Sequence, residues 1–201
     1  DIAAKRELLD TPQGLKSGPS VAAYRKAVDI MEEKSDVDIQ LLAIPGIRQP
    51  NITDHAMESV ERRFDALYIL DIENKDSTNN FVTSSGPPFA SVTNTVAGFS
   101  SRNLDTSFAA AYYPDVVVTD EAIGSPIDCP PSVAVLGALS LNDTKGAPWT
   151  APAGLNRGTL ESVTEASVKL KRADLDNLYV NKINPIVAIN GAGPVIYGQK
   201  T

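Results

Sequence analysis

Short apolar runs alternate along this chain with segments of helical period, and no other feature constrains the fold as tightly. Val37 to Ile44 is apolar, with Asp38 and Gln40 interleaved, and stops at Pro45-Gly46. Ala66 to Leu70, Phe108 to Tyr113, Val116 to Val118, Ile183 to Ile189 and Val195 to Tyr197 are runs of the same kind. Runs of this length, bounded by turn residues, read as strands. Between them lie candidate helices. Ser20 is placed to cap one in which Val21, Tyr24, Val28 and Met31 share a face. Asn51 caps a second, with Asp54 in its first turn and Met57, Val60 and Phe64 turned to the core. Further helices are expected over Phe89 to Ser100, from a Ser132 cap through about Leu141, and from an Asp174 cap over Leu175, Leu178 and Tyr179. Val163 to Leu170 alternates as a strand would. Strand–helix alternation of this kind predicts an α/β layered domain, its central sheet largely parallel and flanked by helices.

Two stretches between these elements have distinct characters. The polar segment Glu73 to Pro88, rich in Ser, Thr and Asn, is expected to be a mobile loop. Gly146 to Gly158 is rich in Pro and Gly and is expected to be a rigid loop anchored by Trp149, the sole tryptophan. Residues 1–36 read as a helical segment continuing from a region upstream, and 37–201 as the core domain. The chain opens at Asp1 without a methionine, so it is expected to be part of something longer.

Composition removes several functional classes. One cysteine, Cys129, excludes an internal disulfide framework. The apolar runs are far too short to cross a bilayer, and no signal-peptide pattern opens the chain. A net charge of -7 argues against a nucleic-acid partner, because phosphate binding needs a clustered basic face. The charge is also uneven. Six acids face the single base Lys145 between Leu104 and Ala147, whereas six bases outnumber four acids from Arg157 onward. Such a chain can meet copies of itself head to tail.

A search for catalysts finds none. A Ser-His-Asp triad needs an imidazole as base, and the sole histidine, His55, is expected on a solvated helix face beside Asp54 and Glu58. There is no Gly-x-Ser-x-Gly elbow. Cys129 stands next to Asp128, which raises a thiol pKa, and reads as a small packed residue before a helix. Asp71 and Glu73 alternate at a strand end, a common place for functional carboxylates, but no third partner is evident. Gly191-Ala192-Gly193 lacks the third glycine of a dinucleotide fingerprint and is followed by Pro194 and a strand, so it is a turn. The expected catalytic, cofactor-binding and metal-ligating residues are therefore none.

What chemistry leaves unexplained is a series of proline- and glycine-punctuated blocks. They run from Tyr112-Tyr113-Pro114 through Pro130-Pro131-Ser132 to Gly146-Ala147-Pro148-Trp149-Thr150-Ala151-Pro152-Ala153, then Asn181-Lys182-Ile183 and Gly198-Gln199-Lys200-Thr201. In this order and spacing they resemble the tail sheath family of contractile phages and related contractile injection systems. The likeness covers about residues 108 to 201, and 37 to 71 more loosely; Asp115 departs from it where an aromatic residue is common. It implies a core domain of subtilisin-like layout without the protease's triad, a structural protein and not an enzyme, with no cofactor. It also implies a place within a larger multidomain subunit. The implied partners are other sheath subunits in hexameric rings, the tail tube and the baseplate, with no nucleic acid and no membrane. The implied location is the virion tail, after assembly in the host bacterial cytoplasm, and the isolated piece is expected to be monomeric. A fragment of an α/β hydrolase-like enzyme whose catalytic residues lie elsewhere is the alternative.

Overall fold

The computed structural model describes residues 19–82, 90–120, 122, 124–147, 149–189 and 191–201. In chain order the elements are α1 (Pro19–Glu32), β1 (Leu41–Ala43), α2 (Pro50–Arg63), β2 (Leu67–Asp71), α3 (Val92–Ser100), β3 (Ala109–Tyr113) and β4 (Val116–Thr119). They continue with β5 (Pro126–Cys129), α4 (Pro131–Lys145), β6 (Val163–Ala166), α5 (Arg172–Val180), β7 (Ile183–Ile189) and β8 (Gly193–Ile196). The main sheet runs β1-β2-β3-β7-β8, and a smaller sheet runs β5-β4-β6. In the main sheet the β1–β2, β2–β3 and β3–β7 pairings are parallel and the β7–β8 hairpin is antiparallel, whereas both pairings of the smaller sheet are antiparallel. The expected α/β class and largely parallel sheet are both present.

Strand periodicity sorts the side chains into two cores. Tyr68 and Leu70 of β2, with Ala109, Ala111 and Tyr113 of β3, face α2, α3 and α5. Ile69, Ala110 and Tyr112 face the other way, onto Val135 and Ala138 of α4 and onto Val116 and Val163 of the smaller sheet. Every residue of β3 is buried, as a central parallel strand requires. Helix α1 forms an outer layer on α2, with Val21 and Val28 buried in between.

Pro114 ends β3 and the chain crosses into the smaller sheet at Val116; the Tyr113–Pro114 peptide is cis. The proline turns the corner between sheets because it has no N–H to extend the ladder. At the far edge, β8 is covered by the chain's own loop. Leu160 donates to the Pro194 carbonyl at 3.0 Å, and Ile196 donates to that of Gly158 at 2.7 Å. A Cβ on Gly158 would come within 2.7 Å of the Ile196 carbonyl oxygen, so only glycine permits this approach.

Several expectations need correction. The strand predicted over Val37 to Ile44 is reduced to Leu41–Ala43. Phe64 does not face the core: it ends α2 in a left-handed conformation (φ 62°) and is 72% exposed, its ring edge-on to Phe108. Asn51 and Ser132 lie inside their helices, whose caps are Gln49 and Pro130, and Asp174 is inside α5, capped by Lys171. In each of the first two a proline takes the first helical position, where its missing N–H has no partner to lose. Asp174 instead accepts the Lys171 N–H at 2.9 Å. The strand β5 was not expected. In the Glu73 to Pro88 segment, Asp76 gathers the N–H and hydroxyl of Thr78 and the N–H of Asn80 into an ordered turn. Residues 83–89 of that segment, including the predicted helix start at Phe89, lie outside the described residues, as do 1–18.

Candidate functional site

In open parallel sheets, sites form beyond the carboxyl ends of the strands. Here that end brings together the turn after β1, the last residue of β2 and the corner after β3. Asp71 has the parity of Ile69, so its side chain points toward α4. It is 2% exposed. One carboxylate oxygen accepts the Ser132 N–H at 2.9 Å. The other accepts the Ser132 hydroxyl at 2.7 Å and the Gly46 N–H at 3.1 Å. Asp71 thus satisfies a first-turn amide of α4 that no intrahelical partner could reach. Gly46 has φ +77°, a left-handed conformation that glycine adopts without strain and that aims its N–H at the carboxylate.

Burial pushes the Asp71 carboxyl above its ordinary range, against the opposing pull of the Ser132 and Gly46 bonds and of Arg48. Burial raises Glu73 likewise. These two carboxylates do not converge on a common target, and the third partner missing from the sequence reading of Asp71 is Ser132. Next to the cluster, Arg48 pairs with Asp115 at 2.5 Å, both side chains about a fifth exposed (18% and 21%). Asn74 donates to the second Asp115 oxygen at 3.4 Å, and the Asp115 carbonyl accepts the Ser167 N–H at 2.8 Å. Asp115, the departure from the resembled pattern, is therefore well placed: it ties the turn after β1 to the corner between the sheets. Arg48 carries no sequence signal beyond lying two residues past the Pro45-Gly46 turn.

The arrangement has the ingredients of a hydrolytic site in the wrong relation. Asp71 holds Ser132 directly, with no imidazole between them, and Ser132 is fully buried, so its hydroxyl is not presented to a substrate as a triad serine is. His55 sits on α2, on the opposite side of the main sheet from α4. It is not on a solvated face as expected: its side chain is 13% exposed and its Nε2 meets Asp29 of α1 at 2.7 Å. Cys129 is half-buried beside the cluster, and burial, with Asp71 and Asp115, pushes its thiol up, away from the thiolate a nucleophile needs. Gly191 and Gly193, at φ +86° and +76°, form the β7–β8 hairpin turn. Among the described residues no group of three or more His, Cys, Asp or Glu is placed to hold a metal. None of the described helices is long and apolar enough to cross a membrane.

Two further features were missed or misread in the sequence. Asn184, fully buried, reads the backbone of Lys200 in both directions, donating to its carbonyl at 2.8 Å and accepting its N–H at 2.6 Å. Tyr112 donates to the Gln199 side chain at 2.7 Å, its own pKa pushed up to about 12, chiefly by burial. Residues 198–201 are thereby fastened across the sheet. Trp149 does not anchor its loop. The loop is held by Asn142, which donates to the Thr150 carbonyl at 2.6 Å, and by the Thr150 N–H on the Ala147 carbonyl at 2.8 Å. The indole itself is 88% exposed.

No protein-family model matches the chain. By sequence it is 43% identical over 67 residues to the tail sheath protein of Vibrio phage KVP40, a match spanning 33% of this chain and 10% of that protein. It is 35% identical over 72 residues to the tail sheath protein of Enterobacteria phage T4, spanning 36% and 11% respectively. The match thus spans about a tenth of the length of these relatives. By fold it is similar to a chain of the anti-feeding prophage baseplate, with TM-score 0.63 and 22% identity over 92% of this chain and 42% of that one. It is also similar to the anti-feeding prophage helical sheath in its contracted state, with TM-score 0.58 and 23% identity over 92% and 44%. The resemblance to the contractile tail sheath family holds in sequence over a third of the chain, and the shared fold extends over nine-tenths of it.

Proposed function

We propose that this chain, a sequence relative of contractile tail sheath proteins, forms the rigid α/β core of a sheath subunit. Copies stack as rings in an open helical array around a tail tube, above a baseplate, and the array shortens to drive the tube through a host envelope. The observation that carries this reading is the sequence likeness to two phage tail sheath proteins. Residues 37–201 supply the core, and α1 packs on it as an outer layer.

The role is structural. A contracting array needs subunits that stay rigid while their mutual packing switches between two arrangements. Asp71, Arg48–Asp115 and the Asn184 clamp cross-brace the domain in the way that role demands, and the Asp71–Ser132 contact takes up the groups a hydrolase would need free. The location that follows is the virion tail, after assembly in the host bacterium.

Electron microscopy of the full-length protein tests the reading. Tubes or stacked rings are expected; a persistent monomer that hydrolyses esters or peptides would overturn it. Contact between the acidic 104–147 region and the basic region of the next copy is part of the same proposal. Lys169, Lys171 and Arg172 are all exposed. Reversing the three to glutamate should abolish array formation and leave the far-ultraviolet circular dichroism of the subunit unchanged.

A further inference from the structure

On opposite sides of its main sheet the domain presents an exposed tryptophan, a knob, and a cavity lined by apolar and polar side chains, a socket. The knob is Trp149. Its loop is fastened by the Asn142 and Ala147 contacts described above and by the Ala153 N–H on the Ala151 carbonyl at 2.9 Å. The indole nevertheless stands 88% exposed beside Leu139 on the α4 side. A held loop presenting a bare tryptophan is the pattern of an interface anchor, since the ordering entropy of the loop is already spent.

The socket is a cavity of about 270 Å³ on the other side of the sheet. Its floor is Met57, Leu70, Ala109 and Ala111, walled by Phe99 and Leu104. It exists because β3 places two alanines on that side where larger residues would fill the space. The volume falls just under the range of small-molecule pockets, a size suited to one large side chain.

We infer that Trp149 of one copy seats in this socket on the next copy. The inference rests on the sheath reading for its choice of occupant. Because knob and socket lie on opposite faces, the contact cannot close on itself as a two-fold dimer; it repeats head to tail, which is how an open array grows. Charge agrees with it. Lys182 lines the socket, 56% exposed and leaning toward Asp105 only at 3.7 Å, a long surface pair of little strength. Asp143, exposed, lies beside Trp149 on the knob side. Seating the indole brings Asp143 of one copy toward Lys182 of the next.

The test uses the full-length protein with Cys129→Ser as background. Ala151→Cys, at an exposed residue beside Trp149 that leaves the indole in place, and Ser100→Cys, at an exposed residue on the socket rim, are made on separate chains, mixed, and treated with a short bis-maleimide. A cross-linked dimer containing one of each is expected, and a ladder of higher oligomers when both changes are on one chain. Trp149→Ala should raise the concentration needed for assembly on the order of tenfold or more, and Trp149→Tyr should recover part of it. Arrays that form at the wild-type concentration from Trp149→Ala, or assembled arrays without the mixed cross-link, overturn the inference. The sheath reading fails separately, if the wild-type protein forms no arrays at all.

Discussion

Two carboxylates show how differently this domain is braced inside and out. Asp71 is 2% exposed and held only by neutral donors, two on Ser132 and one on Gly46. Glu32, at the end of α1, has a side chain 29% exposed and takes two bonds from Arg62 of α2, at 2.6 and 2.7 Å. Inside, the loss of solvent outweighs three hydrogen bonds and the Asp71 carboxyl rises above its ordinary range. At the surface, where Glu32 keeps part of its solvent, the Arg62 hydrogen bonds outweigh the burial and draw its carboxyl from 4.5 down to about 2. The same functional group therefore carries opposite pH signs in the two places. The buried one joins three segments, whereas the exposed one joins two helices that already pack on each other.

The largest effect expected is from Asp71→Ala. It leaves the Gly46 and Ser132 N–H groups and the Ser132 hydroxyl buried without an acceptor, at a cost of about 3–5 kcal/mol in total. The urea midpoint should fall accordingly, with the slope unchanged. A loss below about 1 kcal/mol would show that water replaces the carboxylate and would break the contrast. The pH sign sharpens it. With its folded pKa raised above 3.8, Asp71 binds its proton more tightly folded than unfolded, so its contribution falls as pH rises through the window above 3.8. Asp71→Asn should remove that slope and no other.

Next comes the Arg48–Asp115 pair, intermediate in exposure between the two carboxylates. A double-mutant cycle with Arg48→Met and Asp115→Asn should give a coupling of about 1 kcal/mol, read from urea midpoints. A coupling near zero would mean that Asn74 and the backbone alone hold the corner after β3.

The sequence made the layers legible and left the braces hidden, and the reason is physical. Strand and helix periods are local, so the two central strands and the parallel sheet could be read from Ala66 to Leu70 and Phe108 to Tyr113. Contacts made across the chain have no period. Ser132 looks like a cap because serine before an apolar run usually is one; that its hydroxyl serves Asp71, 61 positions away, is visible only after folding. Phe64 fits the helical face of Met57 and Val60, but the helix ends one residue before it and the left-handed turn swings the ring outward. The strand β5 begins at a proline and is largely exposed, so it shows neither an apolar run nor strict alternation. Residue type suggests Trp149 as the anchor of the 146–158 loop, yet its indole stands in solvent and Asn142 holds the loop.

The smallest effect expected is from Glu32→Gln, and it is the one that best isolates charge. The pair is partly exposed, with Arg62 half in solvent at 50%, so screening leaves it worth about 0.5 kcal/mol or less at neutral pH. The sign is fixed by the lowered pKa: the contribution is whole above 4.5 and disappears as pH falls toward about 2. Wild type and Glu32→Gln should therefore differ slightly at pH 7, converge in acid, and converge again at pH 7 in molar salt, where the Debye length falls to about 3 Å. Asp71→Asn should show no comparable salt effect, because no counter-ion reaches a carboxylate enclosed by Ser132 and Gly46. If salt moved both variants alike, the distinction between a surface brace set by charge and an interior brace set by geometry would collapse.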